Sequence, residues 1–223
     1  MGTVIKVQDT PTLNSTLLPN QCEVSLTSDF SQRDQLPQTD KPKSSWPKYD
    51  ITTSGGWEWG PLWKQFPKVS APAGCDSIRW KRERILAVAK KYVGIKYRHH
   101  HILAWSPEAT PGKALTGGVG LDCSNFTTWV YNYGLGILFT SDVAQQSVSL
   151  KAGRKLRSGE NFEPGDLLYI GDSNKSRVVH VVIYVDPDHI IDSTSSSTNS
   201  GVQVRKFDGW YKSRFMHARR VIE

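Results

Sequence analysis

The residue most able to do chemistry in this sequence is Cys123, in the run Gly120-Leu121-Asp122-Cys123-Ser124-Asn125-Phe126. A Gly-rich approach, Gly117-Gly118-Val119-Gly120, delivers it to the start of a predicted helix. Phe126, Val130 and Tyr133 fall at helical spacing on one face, and Gly134 stands where a left-handed residue would close the helix. A cysteine at a helix N-terminus sits among amide donors with no helical partner, at the positive end of the backbone dipole. Such a setting favours thiolate over thiol. The plain alternative is a buried, inert cysteine. On this stretch alone both readings stand.

A nucleophilic cysteine needs a base within hydrogen-bond reach, and the base needs a third group to fix its tautomer. His180 opens the β-branched run His180-Val181-Val182-Ile183-Tyr184-Val185, and Asp186-Pro187-Asp188 reads as the turn that follows. If that turn is centred on Asp186, His180 and Asp192 oppose each other and project to one face. His189, the rival, would oppose Ile183 and point to the other face; a slip of one residue reverses the choice. The parity favours Asp192. The other histidine cluster, His99-His100-His101, lacks i,i+4 spacing, so no metal site is expected there.

These residues must be positioned by the rest of the chain. The 223 residues allow one good-sized domain with an appendage. Residues 1–45 are polar and Pro-interrupted and read as an extended arm. Residues 46–75 hold Trp46, Trp57, Trp59, Trp63 and Phe66. Those aromatics are either a platform for sugar rings or, the plainer reading, an irregular segment packed on the main domain. Residues 76–223 form that domain. Asp76 or Ser77 caps a helix to about Tyr92, with Ile78, Ile85, Leu86, Ala89 and Tyr92-Val93 on one face and Gly94 ending it. A short helix capped by Thr140 or Ser141 covers Ser141 to Gln146. Beyond it the period becomes strand-like at Leu167–Ile170, Val178–Val185, Ile190–Ser193, Gly201–Phe207 and Arg214–Ile222. Helices followed by a strand meander imply an α+β fold on an antiparallel sheet of five or six strands.

Composition narrows the function. With 28 Lys+Arg against 21 Asp+Glu the formal charge is +7, which favours an anionic partner. No zinc-finger, RNA-binding or basic-zipper pattern accompanies it, so nucleic acid is not expected. No apolar run is long enough to span a membrane, and Met1 to Lys6 carries no signal core. The chain is therefore either cytosolic or an exported protein whose signal has been trimmed. Cys22, Cys75 and Cys123 lack Cys-x-x-Cys spacing; an odd count leaves one free thiol, and Cys22 with Cys75 could pair after export.

From about Ile78 to Glu223 the chain resembles the NlpC-type cysteine peptidases, papain-like enzymes that cut bacterial cell-wall peptides. Five ordered blocks carry the resemblance: Val93-Gly94-Ile95-Lys96-Tyr97, Asp122-Cys123-Ser124, Ser141 to Gln146, Pro164-Gly165-Asp166-Leu167, and His180 to Tyr184. The resemblance implies a papain-like fold with Cys123 as nucleophile, His180 as base and Asp192 as third residue. It further implies Tyr97, Asp122 and Ser124 as substrate-binding residues, with no cofactor and no metal. Asn125 stands where the family usually has Gly, and a long insertion follows Tyr97. The implied activity is that of an exported, monomeric endopeptidase acting on peptidoglycan or muropeptides at the γ-D-glutamyl bond to diaminopimelate or lysine. The alternatives are an acyltransferase or amidase with the same Cys–His pair, and a catalytically idle cell-wall binding protein.

Overall fold

In the computed structural model, residues 22–24, 28–46, 60–105, 119–196 and 198–223 are described. Helices α1 (Ser28–Asp34), α2 (Ser77–Lys91), α3 (Cys123–Leu135) and α4 (Val143–Val148) come first. They are followed by strands β1 (Arg154–Lys155), β2 (Leu167–Gly171), β3 (Val178–Asp186), β4 (His189–Thr194) and β5 (Gly201–Lys206). A short helix, α5 (Gly209–Ser213), then leads to β6 (Phe215–Arg220). The strands form one six-stranded antiparallel sheet in the order β1-β6-β2-β3-β4-β5, an α+β arrangement.

Both faces of the sheet are covered, which is why β2 and β3 read as continuous apolar runs rather than alternating ones. Leu167, Tyr169, Val181, Ile183, Ile191 and Val202 pack with α2 and α3 in the main core. Leu168, Ile170, Val182, Tyr184, Ile190 and Ala218 face the other side. There Leu156, Phe162, Phe207, Tyr211 and Phe215 cover them. Helix α5, which the strand-only reading of this region passed over, supplies Tyr211 to that second layer.

Several boundaries depart from the sequence reading. Asp76 caps α2 by accepting the N–H groups of Ile78 and Arg79. The buried stripe of α2 is Trp80, Arg84, Ile85, Val88 and Ala89, whereas Ile78 is exposed. Helix α4 is capped by Asp142, not by Thr140 or Ser141; Thr140 instead accepts the N–H of Asp142. Gly134 does not end α3. It stays helical because a side chain there would meet Ile85 at 3.1 Å, and the left-handed cap falls on Gly136, at φ 68°.

The N-terminal segment is not wholly extended. Residues 28–34 are helical, and Phe30 and Phe66 are buried in the main core. Phe66 stands edge-on to Trp129 at 5.6 Å and tilted against Tyr133 at 5.6 Å. Its N–H is taken by the Asn132 side chain, whose amide in turn donates to the Lys64 carbonyl. A disulfide joins Cys22 to Cys75, just before the α2 cap. Trp63 lies against His101, while Trp57 and Trp59 fall outside the described residues, as do residues 106–118 of the insertion. Among the described residues no helix is long and apolar enough to cross a membrane.

Phe66→Ala removes a buried aromatic at the junction between this segment and α3. It is expected to cost about 3–5 kcal/mol, read from the guanidinium midpoint with the disulfide intact. A loss under about 1 kcal/mol would mean that the segment is only loosely seated.

Candidate active site

Helix α3 begins at Cys123 because Asp122 caps it, its Oδ1 accepting the Asn125 N–H at 2.8 Å. The cap is reinforced by the Asn125 side chain, which donates to Asp122 Oδ2 at 2.8 Å, and by a long contact of 3.4 Å from the Ser124 hydroxyl. Asn125, in place of the glycine of the resemblance, thus acts as a second brace of the cap. His99 Nδ1 lies 3.1 Å from Asp122 Oδ2. Both carboxylate oxygens are therefore engaged. Ser124 is buried with its hydroxyl turned toward Asp122.

The approach to Cys123 is held by a parallel bridge between Lys96 and Gly120, with the Leu121 N–H donating to the Lys96 carbonyl at 3.1 Å. A Cβ on Gly120 would fall 2.2 Å from the Arg98 side chain and 2.7 Å from the Lys96 carbonyl, so only glycine fits. That bridge carries Tyr97 beside the cysteine. Burial pushes the Tyr97 phenol up, and the nearby charges of Asp122 and Cys123 push it further. The three consecutive histidines go separate ways. His99 meets Asp122, His100 is buried against Trp105 at 4.5 Å, and His101 reaches the Gly60 carbonyl. Burial holds His100 down at about 4. Among the described residues no group of three His, Cys, Asp or Glu side chains is placed to hold a metal.

His180 sits at an irregularity. Ile170 pairs with His180 but Gly171 pairs with Val178, so Val179 is the extra residue of a β-bulge just before the histidine. Bulges re-aim neighbouring side chains. The imidazole is buried, with Nε2 2.6 Å from Asp192 Oδ2. That leaves Nδ1 on the side of Cys123, whose charge acts on the ring. Burial alone would push the imidazole down; the charge of Cys123 and the bond and charge of Asp192 outweigh it and raise His180 to about 10.

The hairpin differs from the expected one while keeping its parity. Its regular pairs are Ile183 with Ile191 and Tyr184 with Ile190; Asp186 then pairs with His189 across the two-residue turn Pro187-Asp188. Continued, this register sets Asp192 opposite Val182, so His180 reaches it on the diagonal. The error is two residues, an even number, and the shared face survives. His189 does not oppose Ile183. It lies at the half-exposed tip, its Nδ1 2.9 Å from Asp186 Oδ1.

Asp192 is fully buried and takes three donors. Beside His180, the Tyr211 hydroxyl donates to Oδ2 at 2.8 Å and Arg205 Nε donates to Oδ1 at 2.6 Å. Burial would raise this carboxyl, but the bond and charge of His180, together with Arg205, hold it below the usual carboxylate range. Trp210 stands edge-on to His180 at 5.7 Å and is partly exposed. The sequence reading passed over Arg205, Trp210 and Tyr211. The only signal was the β4–β5 ladder, which pairs Ile190 with Arg205 and so puts Arg205 on the face of Asp192.

These shifts set a pH dependence. His180 is raised above its ordinary 6.5, so its contribution to stability is complete below about pH 6.5 and is lost as pH rises through about 10. Asp192 is depressed below 3.8, so its contribution is present above about pH 4 and is lost as pH falls further. In Cys123→Ala the sulfur charge is gone. The imidazole is therefore expected to titrate well below its wild-type value, followed by NMR, with a flatter stability profile between pH 7 and 10. Identical titration in the two proteins would show that the sulfur and the ring do not interact.

The model of the NlpC/P60 family matches residues 104–220, just over half of the chain. The gamma-DL-glutamyl hydrolase of Bacillus subtilis is 28% identical over 112 residues, which are 50% of this chain and 23% of that protein. An NlpC/P60 family protein from Bacillus cereus shares the fold, with a TM-score of 0.52 at 22% identity over 73% of this chain and 44% of that one. The peptidoglycan hydrolase RipB of Mycobacterium tuberculosis aligns with a TM-score of 0.46 at 22% identity, over 66% of this chain and 67% of that one. The chain thus spans less than half the length of either Bacillus protein.

Proposed function

The chain belongs to the NlpC/P60 family, and we propose that it is a cysteine peptidase of peptidoglycan stem peptides, cutting the γ-D-glutamyl bond to diaminopimelate or lysine. The observation that carries this reading is the buried His180, which feels the charge of Cys123 on one side and meets Asp192 Oδ2, at 2.6 Å, on the other. A nucleophile, a protonated base and an orienting carboxylate in that order are the parts of covalent acyl transfer. The name of the B. subtilis relative supports a glutamyl bond as the target.

In this mechanism the Cys123 thiolate attacks the scissile carbonyl carbon. The tetrahedral intermediate collapses to a thioester as the C–N bond breaks, and the imidazolium of His180 gives its proton to the departing amine. Water then attacks the thioester, neutral His180 takes a proton from it, and the acid leaves with the thiolate restored. The N–H of Cys123, at the first position of α3, is the oxyanion donor we assign. The half-buried phenol of Tyr97, beside Cys123, is a second group we assign to that oxygen. Asp122 acts mainly by capping α3, and substrate contact at this end falls to Tyr97 and His99. The Cys22–Cys75 disulfide supports action outside the cytoplasm, where such bonds persist.

Incubation with purified sacculi and with defined muropeptides, followed by mass spectrometry of the products, tests the reading. New amino termini on diaminopimelate or lysine are expected. Cys123→Ala should lose on the order of 10⁴-fold in turnover while folding normally. Asp192→Asn should lose less and His189→Ala almost nothing. Undiminished cleavage by Cys123→Ala, or products cut elsewhere in the wall, would overturn the proposal.

A further inference from the structure

We infer that Arg205 and Tyr211 are positioning residues of this reaction, holding the buried Asp192 carboxylate ionised and aligned beneath His180. The inference rests on the Cys123–His180 reading and extends it by two residues.

An aspartate with no solvent contact needs its charge balanced and its lone pairs filled. Asp192 has a fully buried side chain, and three donors from three elements converge on it. They are His180 Nε2 from β3 at 2.6 Å, Arg205 Nε from β5 at 2.6 Å and the Tyr211 hydroxyl from α5 at 2.8 Å. His180 is itself faced by Cys123 from α3, by Asp192, and by the rings of Trp210 and Tyr211. The ionisable groups therefore alternate in sign along one line: Cys123, His180, Asp192, Arg205.

The guanidinium is held as firmly as the carboxylate it meets. Its Nη2 donates to the Asn199 carbonyl at 2.5 Å and to the Gly201 carbonyl at 3.1 Å, which ties it to the turn between β4 and β5. On the ladder Arg205 pairs with Ile190 while Asp192 pairs with Gln203, so the two side chains are diagonal neighbours on one face. Tyr211 donates to the same oxygen that His180 contacts, which fixes the direction of that oxygen's remaining lone pair. Remove Arg205 and one cation, His180, must neutralise both Cys123 and Asp192. Protonation of Asp192 then relieves the imbalance, and the imidazole loses its orienting charge.

Two readouts test this in the full chain with its disulfide intact. One is the rate of Cys123 alkylation by iodoacetamide from pH 4 to pH 10, which needs no substrate; the other is kcat and KM on a defined muropeptide. Arg205→Gln is expected to move the acid limb of both profiles to higher pH and to lower kcat about tenfold, with KM little changed. Tyr211→Phe should shift the same limb in the same direction by less, and Arg205→Lys should restore part of the loss. The double variant Arg205→Gln/Asp192→Asn removes both charges together. It should retain at least about fivefold more activity than the product of the two single effects, the scale of coupling between neighbours in one network. An unshifted acid limb in Arg205→Gln and Tyr211→Phe, or a double variant equal to that product, overturns the inference and leaves the peptidase reading intact. If Arg205→Gln does not fold, the limb in Tyr211→Phe decides the matter. A flat alkylation profile in the wild type overturns the peptidase reading, and the inference with it.

Discussion

Helix α3 has no solvent face, and the rest of the molecule is arranged around that fact. Every residue from Cys123 to Leu135 is buried. Most of its polar side chains are satisfied by protein, with Asn125 Oδ1 and the Trp129 indole nitrogen left without a hydrogen-bond partner among the described residues. Thr127 bonds Gln146 of α4, Thr128 bonds the Thr140 carbonyl, Asn132 bonds the segment before α2, and Tyr131 bonds the Gly165 carbonyl before β2. Gln146 alone ties its amide to Thr128 and Thr140 and accepts from Thr127. A helix fixed on every side gives the thiol at its first position a fixed address, which is what preorganised chemistry requires.

The same constraint explains the N-terminal segment. The C-terminal end of α3 leaves carbonyls without helical partners and carries the negative end of the dipole. Two buried arginines meet it. Arg33 of α1 donates to the Tyr133 carbonyl at 2.5 Å, and Arg84 of α2 donates to the Gly134 carbonyl at 2.6 Å. Asp29 balances Arg84, and Tyr133 donates back to the Phe30 carbonyl. Residues 28–34 and 64–69 therefore complete the wall of α3 that the sheet and α4 leave open. The opposite, positive end of the helix carries Asp122 and Cys123. One dipole is thus answered by cations at one end and by the capping carboxylate of Asp122, beside Cys123, at the other.

Much of this was legible in the sequence because it depends on local rules. A cap at Asp76 or Ser77, the helix starting at Cys123 and the β-branched runs follow from propensity, capping and turn chemistry. The face shared by His180 and Asp192 was readable because parity tolerates an error of two residues. The bulge at Val185 and the exact turn were not readable, since an extra residue leaves no mark in the pattern. The closing glycine was misplaced because Gly134 answers a tertiary demand, close contact with Ile85, that no local signal announces. Arg84 escaped for a related reason. An arginine inside a helix reads as a solvent-facing residue until its distant partners, Asp29 and the end of α3, are known.

The flanks of the site were the least legible, and their chemistry shows why. One flank, beside Cys123, is built from residues 95–101, which have no regular period and whose backbone is tied by single hydrogen bonds to Leu121 and to Val202 of β5. The other, beside His180, is α5 and its partly exposed Trp210, a five-residue helix with no side-chain cap. Neither segment buries a stripe, so neither needs the periodicity that makes helices and strands visible. Asp122 illustrates the consequence. The resemblance implies Asp122 as a substrate-binding residue, yet both of its oxygens are engaged by the cap and by His99. A carboxylate so engaged has little left to offer a ligand. Beyond it the imidazole that Asp122 holds stands edge-on to the phenol of Tyr97, at 5.3 Å.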